Sequence, residues 1–173
     1  MLRDLIPVVT LVIGYAIKSF TDYFENRRAV AREREARDVT RNDRLFERRS
    51  NFQRETLLAL QDAVTQLGRD TGAINHQNIM SLRTTGKLGL ITDEFNEGYR
   101  IRQATTSKLV SRVHDKSVRE LTDQFRDASV ATIAATTVQE GDRAMNVASA
   151  AFEQLNQRIG IVLRSLDDAE DAA

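Results

Sequence analysis

The sequence predicts an all-α protein, with an N-terminal transmembrane helix followed by a long helix and a four- to five-helix bundle. Charged residues make up 29% of the 173 residues and aromatic residues only 6%, while one proline and eight glycines leave long stretches uninterrupted. This composition favours long helices over sheet sandwiches, which need many turns. Apolar residues also recur at spacings of three and four, as on one face of a helix. The length suffices for one domain and an anchor.

Hydropathy and charge divide the chain into four segments. These are a transmembrane anchor at residues 1–24, an arginine-rich juxtamembrane helix at 25–54, a helical bundle at 55–166 and an acidic tail at 167–173. The formal net charge is zero because basic and acidic segments cancel, so the total says little about partners. The absence of cysteine excludes disulfide frameworks, cysteine nucleophiles and thiolate metal sites.

The N-terminal segment favours a membrane-spanning anchor. Residues 5–17 carry no charge, and as a helix they would cover about 20 Å of a hydrocarbon core of about 30 Å. Extension to Phe24 reaches roughly 30 Å and includes Lys18 and Asp22, which share a face as an intramembrane polar pair. Lys18 lies near enough to the interface to snorkel. A cleaved signal peptide and a core or interfacial helix are the alternatives.

The charges after the anchor predict its orientation. Between Glu25 and Arg54 there are ten arginines and six acids, and the positive-inside rule counts the basic residues near the membrane. We therefore expect a single-pass protein of a bacterial inner (plasma) membrane whose C-terminal domain is cytoplasmic. The arginines nearest the membrane are expected to contact anionic headgroups. They are Arg27, Arg28, Arg32 and Arg34.

The arginine-rich helix has two other interpretations. It is a solvated face held by pairs such as Glu33 with Arg37, or it binds nucleic acid, which the interspersed acids oppose. Its apolar residues form a stripe that is weak before Leu45 and strong after Leu57, as in a helix that enters a bundle or a coiled coil. The stripe consists of Ala36, Val39, Phe46, Leu57, Leu60, Val64 and Leu67, joined by Leu45 and Phe52.

Breaks and caps divide the remainder. Gly68 and Gly72 are expected to end the long helix, a short helix follows, and residues 84–89 form a loop. Thr92 or Asp93 caps the next helix, which ends at His114 and Asp115, and Ser117 with Glu120 forms a capping box for the one after. Residues 141–142 are expected to interrupt the helical pattern again. The last helix has the clearest stripe, with Ala148, Phe152, Leu155, Ile159, Val162 and Leu166.

Catalytic and metal motifs are absent from the sequence. The residues three before His76 and His114 are Ala73 and Ser111, so the Glu-x-x-His pairs of di-iron bundles are missing. Residues 81–88 lack the first glycine and the final hydroxyl residue of a phosphate loop. The polar run Asn75–Asn78 is either a contact site or, as we favour, an ordinary loop or exposed helix start. We expect no enzymatic activity, no metal and no cofactor.

One stretch carries a resemblance. The sequence RRSNFQRETLLALQDA at residues 48–63, followed by Thr71-Gly72, His76 and the loop at residues 85–87, resembles a group of uncharacterised bacterial proteins with one predicted membrane helix and a helical cytoplasmic part. The resemblance covers about half of the chain. It implies the bacterial single-pass layout and no mechanism.

Together these features predict a membrane-tethered scaffold or adaptor that presents a cytoplasmic bundle to a protein partner. Membrane lipids and an unidentified protein are the expected partners, homo-oligomerisation is left open, and the charge pattern argues against nucleic acid. The alternative is a self-assembling membrane protein, a small pore or a subunit of a membrane complex, in which Lys18 and Asp22 pair between protomers.

Overall fold

The computed structural model describes residues 2–89 and 91–171, with side chains described at residue 27 and at residues 32–89 and 91–169. Within these residues there are four helices and no strands, which confirms the all-α prediction. The helices are α1 (Leu2–Thr85), α2 (Asp93–Val110), α3 (Lys116–Ala134) and α4 (Val138–Asp171). The chain divides into two units between Glu47 and Arg48.

The core of the second unit is built on one stripe of α1. Eleven described positions of this helix are buried, and the spacing of nine of them alternates between three and four residues without interruption. Such a heptad pattern keeps one face of a helix against its neighbours over many turns. We call these nine positions the heptad stripe. They are Ser50, Gln53, Leu57, Leu60, Val64, Leu67, Thr71, Ile74 and Asn78.

The other helices supply the rest of this core. Val110 comes from α2, α3 adds Val118 and Phe125, and Leu155 and Ile159 of α4 are fully buried. Phe152, Val162 and Leu166 pack at the edge, so the stripe predicted for the last helix is confirmed.

Buried hydroxyls in this core are satisfied within their own helices. Thr71 donates to the carbonyl oxygen of Leu67 at 2.8 Å, and Thr122 donates to that of Val118 at 2.7 Å. Ser129 does the same toward Phe125 at 2.8 Å. Because a buried hydroxyl without a partner is destabilising, these bonds let small polar residues pack as if they were apolar.

The predicted break at Gly68 and Gly72 is wrong. Helix α1 continues through both glycines to Thr85. A glycine inside a helix costs only about 0.5–1 kcal/mol relative to alanine. The heptad stripe offsets that cost, because Leu67, Thr71 and Ile74 beside the glycines are all buried. The polar run at residues 75–78 therefore lies in a helix and not in a loop.

The helix ends where the sequence placed the following loop. Gly86 has a φ of +68°, and its N–H donates to the carbonyl oxygen of Leu82 at 3.0 Å. This left-handed residue is the usual stop of a helix, and glycine adopts it without steric cost. Thr92 caps α2 as expected, since its hydroxyl accepts from the Phe95 N–H at 3.3 Å.

The caps of the last two helices differ from the prediction. Asp115, and not Ser117 with Glu120, caps α3, because its carboxylate accepts the Val118 N–H at 2.8 Å. The capping box at the start of α4 was not predicted from the sequence. There the Glu140 N–H donates to the Thr137 hydroxyl and the Thr137 N–H donates to the Glu140 carboxylate, each at 3.2 Å. Since α4 begins at Val138, residues 141–142 lie inside it and do not interrupt the chain.

The predicted anchor lies outside the described side chains. Backbone helix is assigned from Leu2 onward, but the side chains of residues 1–24 belong to the part that is not described, and so do those of Lys18 and Asp22. In the described part, no helix carries an apolar stretch long enough to cross a membrane. The membrane-spanning character of residues 1–24 stays a prediction.

Two glycine substitutions test the continuity of α1. In the continuous helix, a Cβ at Gly72 would lie 3.8 Å from the Met145 Cε atom, an ordinary contact. Gly72→Ala should therefore stabilise the bundle by about 0.5–1 kcal/mol through helix propensity. Gly86→Ala should destabilise it by about 1 kcal/mol, because φ is positive there. Urea unfolding followed by circular dichroism measures both, and a destabilised Gly72→Ala would contradict a helix through residue 72.

Candidate functional site

The most exposed part of the described chain is the helix of the first unit. Every side chain described there, at residue 27 and at residues 32–47, is exposed. Three of them are large and apolar, namely Val39 at 55% exposure, Phe46 at 43% and Leu45 at 40%. A helix without a buried face draws little stability from packing, so this surface is suited to a partner.

Two of the three large apolar residues described in the first unit, Val39 and Phe46, follow the register of the heptad stripe. Counted upstream from Ser50 by steps of four and three, the sequence reaches Phe46, Asp43, Val39 and Ala36. In the second unit the same register is buried at all nine positions. The first-unit positions therefore have the spacing of a packed helix face and are nevertheless exposed.

The charges on this helix are mixed. Arg37 Nη2 donates to Glu33 Oε1 at 2.5 Å, which places the pair named by the sequence on the helix surface. Both side chains are more than half exposed, so the pair contributes only a few tenths of a kcal/mol.

The four arginines expected at the membrane surface are partly described. Arg27, Arg32 and Arg34 are exposed, and Arg27 interacts with another group of the chain. The Arg28 side chain, like the Lys18 and Asp22 pair, lies outside the described residues. Contact of these residues with lipid or with each other stays a prediction.

A polar cluster fixes the turn between α2 and α3 against α1. The Gln53 side-chain amide donates to the Arg112 carbonyl oxygen at 2.9 Å and accepts the His114 N–H at 3.0 Å. The Arg119 guanidinium donates to the carbonyl oxygens of Val113 and His114, both at 2.7 Å. Gln53 is buried on the heptad stripe, so its position in the repeat was the signal that could have revealed this role.

Asp115 joins the same turn to α4. Its carboxylate accepts from Arg158 Nη2 at 2.6 Å and from Arg158 Nε at 3.2 Å, a two-pronged ion pair. The hydrogen bonds from Arg158 hold the pKa of Asp115 below its ordinary value, against the effect of burial, and the Val118 N–H lowers it further. Asp115 in turn raises the pKa of Arg158. We call Gln53, Asp115, Arg119 and Arg158 the turn cluster.

The structure gives the position of His114 and the contacts of Asp115. The sequence placed His114 in the last turn of a helix, but α2 ends at Val110 and His114 lies in the connection. Its side chain is exposed. The Asp115 carboxylate is engaged by Arg158 and by the backbone of Val118, and these are the contacts of a structural cap.

Within the helix, two residues of the polar run at 75–78 are exposed and two are buried. His76 and Gln77 are exposed, whereas Asn75 and Asn78 are buried. The Oδ1 atoms of both buried asparagines have no hydrogen-bond partner among the described residues. A Cβ at Gly141 would lie 2.8 Å from Asn75 Oδ1, and one at Gly89 would lie 3.5 Å from Asn78 Oδ1. A buried acceptor without any partner costs about 1–3 kcal/mol.

No group of three or more His, Asp or Glu side chains that could hold a metal occurs in the described part of the chain. The chain matches no family model, no curated protein and no solved structure.

The ion pair of Asp115 predicts a pH dependence of stability. A carboxyl with a lowered folded-state pKa stabilises the fold above its unfolded pKa of about 3.9, and this contribution is lost as the pH falls through the folded value. Asp115→Asn keeps an N-cap acceptor and removes the charge, so it should destabilise the bundle at pH 7. The difference from the unmodified protein should shrink as the pH falls below about 4.

Comparison of Asp115→Ala with Asp115→Asn separates the contribution of the N-cap from that of the charge. Asp115→Ala removes both, and loss of a cap alone typically costs about 1 kcal/mol. Asp115→Ala should therefore be less stable than Asp115→Asn at every pH. Guanidinium unfolding between pH 3 and pH 7 measures all three proteins. A stability difference between Asp115→Asn and the unmodified chain that is constant over this range would contradict the role of the ion pair.

Proposed function

We propose that the protein is a membrane-tethered helical scaffold or adaptor, which presents its bundle and the first-unit helix to a protein partner in the bacterial cytoplasm. The observation that carries this proposal is the unpartnered helix surface at residues 32–47, which is exposed along its whole length. It combines large apolar side chains with the spacing of a packed face.

Burial of the exposed apolar side chains of the first-unit helix by a partner would be energetically favourable. Full burial of a Val, Leu or Phe side chain is worth about 1.5–3 kcal/mol, and Val39, Leu45 and Phe46 are each about half exposed. A partner that covers them would gain roughly 1 kcal/mol for each, before the loss of side-chain freedom.

The second unit supports an adaptor over an obligate oligomer. Its heptad stripe is buried by helices of the same chain, so its core needs no second copy. The stretch of the described chain that lacks any buried side chain is the first-unit helix.

Tethering is supported by the sequence. Residues 5–17 carry no charge, and ten arginines follow between Glu25 and Arg54. An apolar segment with this basic flank is expected to cross the membrane with the flank inside the cell.

A self-assembling membrane protein is the alternative. The observation that favours it is the register of Val39 and Phe46, which continues the repeat of a stripe that already packs against helices of this chain. Copies of the first-unit helix could pack on each other by the same spacing.

Fractionation tests the tether. The full chain should sediment with membranes after a high-salt wash and be released by detergent, whereas a variant without residues 1–24 should be soluble, because the apolar segment is lost. Recovery of the full chain in the soluble fraction without detergent, unaltered by the deletion, would rule the tether out.

A matched pair of fourfold substitutions to glutamine separates a role of the arginines in headgroup contact from an effect of positive charge in general. One replaces Arg27, Arg28, Arg32 and Arg34, and the other Arg37, Arg41, Arg44 and Arg48.

Single-cysteine variants test the partner. The chain has no native cysteine, so Val39→Cys and Phe46→Cys each provide one attachment site for a photoreactive crosslinker, with Thr40→Cys as the exposed control beside them. The adaptor predicts a discrete adduct with a different protein from the first two variants and little from the control. Adducts at multiples of the 19.5 kDa chain mass, together with disulfide-linked dimers, would support self-assembly instead.

A further inference from the structure

A cavity of about 340 Å³ opens between α1, α3 and α4 in the second unit. Its walls are mainly apolar, with Phe125 from α3 and Met145 and Phe152 from α4. The two aromatic rings are 5.6 Å apart between centroids and tilted by 51°. The volume falls at the lower end of the range of about 300–1,000 Å³ that small-molecule sites occupy.

Gly68 contributes bare backbone to the wall of the cavity. A Cβ there would lie 3.6 Å from the Phe125 Cζ atom and 4.0 Å from the Phe152 Cδ2 atom. These are ordinary contact distances, so the fold would accept alanine, and alanine would be more favourable in the helix by about 0.5–1 kcal/mol. Packing therefore does not require glycine at this position, and its effect is to leave apolar space beside two aromatic rings.

Polar groups stand at the exposed side of the cavity. Arg69 and Ser149 line it and are both exposed. Arg69 is the only charged residue of the lining. Its neighbour Asp70 is paired with Arg102, and Arg69 makes no ion pair with any residue that is described.

We propose that this cavity is a binding site for a small anionic amphiphile, a straight-chain fatty acid of medium length. The alkyl chain lies against Phe125, Phe152 and the bare backbone at Gly68, where burial of each CH₂ is worth about 0.8 kcal/mol. The carboxylate accepts hydrogen bonds from the Arg69 guanidinium, whose fork matches its two oxygens, and from the Ser149 hydroxyl. The site lies entirely within the second unit, so it is independent of the tether and of the adaptor surface.

Methionine methyl groups provide a direct readout. Met145 lines the cavity, whereas Met80 is 47% exposed and is not part of it. With ¹³C-methyl methionine in the full chain in nanodiscs, titration with decanoate should shift the Met145 methyl resonance and leave that of Met80 unchanged. Partition of decanoate into the lipid affects every variant equally, so apparent affinities are compared between variants.

Two substitutions address the two halves of the ligand. Arg69→Gln should weaken decanoate binding roughly tenfold, the equivalent of one charge-assisted hydrogen bond, and Arg83→Gln, an exposed arginine at the end of α1, should not. Decanol should bind about tenfold more weakly than decanoate and be indifferent to Arg69→Gln. Gly68→Ala should weaken both ligands. Gly160→Ala in α4 brings the same gain in helix propensity, and its Cβ would meet only Arg164 Nη1, at 3.5 Å, so it should weaken neither by more than about twofold.

Each result bears on the site. A Met145 shift that saturates and is lost in Gly68→Leu supports it, and circular dichroism shows whether that variant is folded. If Gly68→Leu does not fold, Gly68→Ala carries the comparison. Movement of both methyl resonances together, or equal affinity of Gly68→Ala and the unmodified chain, would overturn the cavity as the site. Equal binding of decanol and decanoate would overturn the anionic headgroup.

Discussion

The heptad stripe of α1 is the constraint on which the second unit depends. Nine buried positions from Ser50 to Asn78 alternate in spacing without a break, and a helix that satisfies such a repeat offers one continuous face for packing. Four of its residues, Leu57, Leu60, Val64 and Leu67, are completely buried. Because the stripe also includes residues on both sides of Gly68 and Gly72, it explains why α1 passes through two glycines, and it brings the bare backbone at Gly68 beside Phe125 and Phe152.

Polar residues near the two ends of the stripe have opposite consequences. Close to its start, Gln53 satisfies both a donor and an acceptor of the α2–α3 turn, and Asp115 joins that turn to Arg158. Toward its end, Asn75 and Asn78 bury amide oxygens without a partner in the described part of the chain. Since buried polar groups stabilise a fold only when they are paired, we expect local opening to begin around Asn75 and Asn78 and not at the turn cluster.

The helix of the first unit, in contrast to the second unit, has no buried face among its described side chains. The helix continues the stripe register in sequence, yet none of its described side chains is buried. Surface ion pairs such as Arg37 with Glu33 contribute little. An exposed helix with half-exposed Val39 and Phe46 is most readily understood as one half of an interface, and this is why the proposed function rests on that segment and not on a catalytic group.

The sequence by itself determined the all-α class, the stripe of the last helix, the loop after Thr85 and a cap at Thr92 or Asp93, because each of these depends on periodicity or on residues within one turn of each other. Only the tertiary structure decided that α1 continues past Gly68, since its stripe is buried in a core to which later helices contribute residues such as Phe125 and Leu155. The same holds for Asp115, whose partner Arg158 lies 43 residues further on. The cavity could not be predicted either, because an empty volume is a property of three helices together and no single helix encodes it.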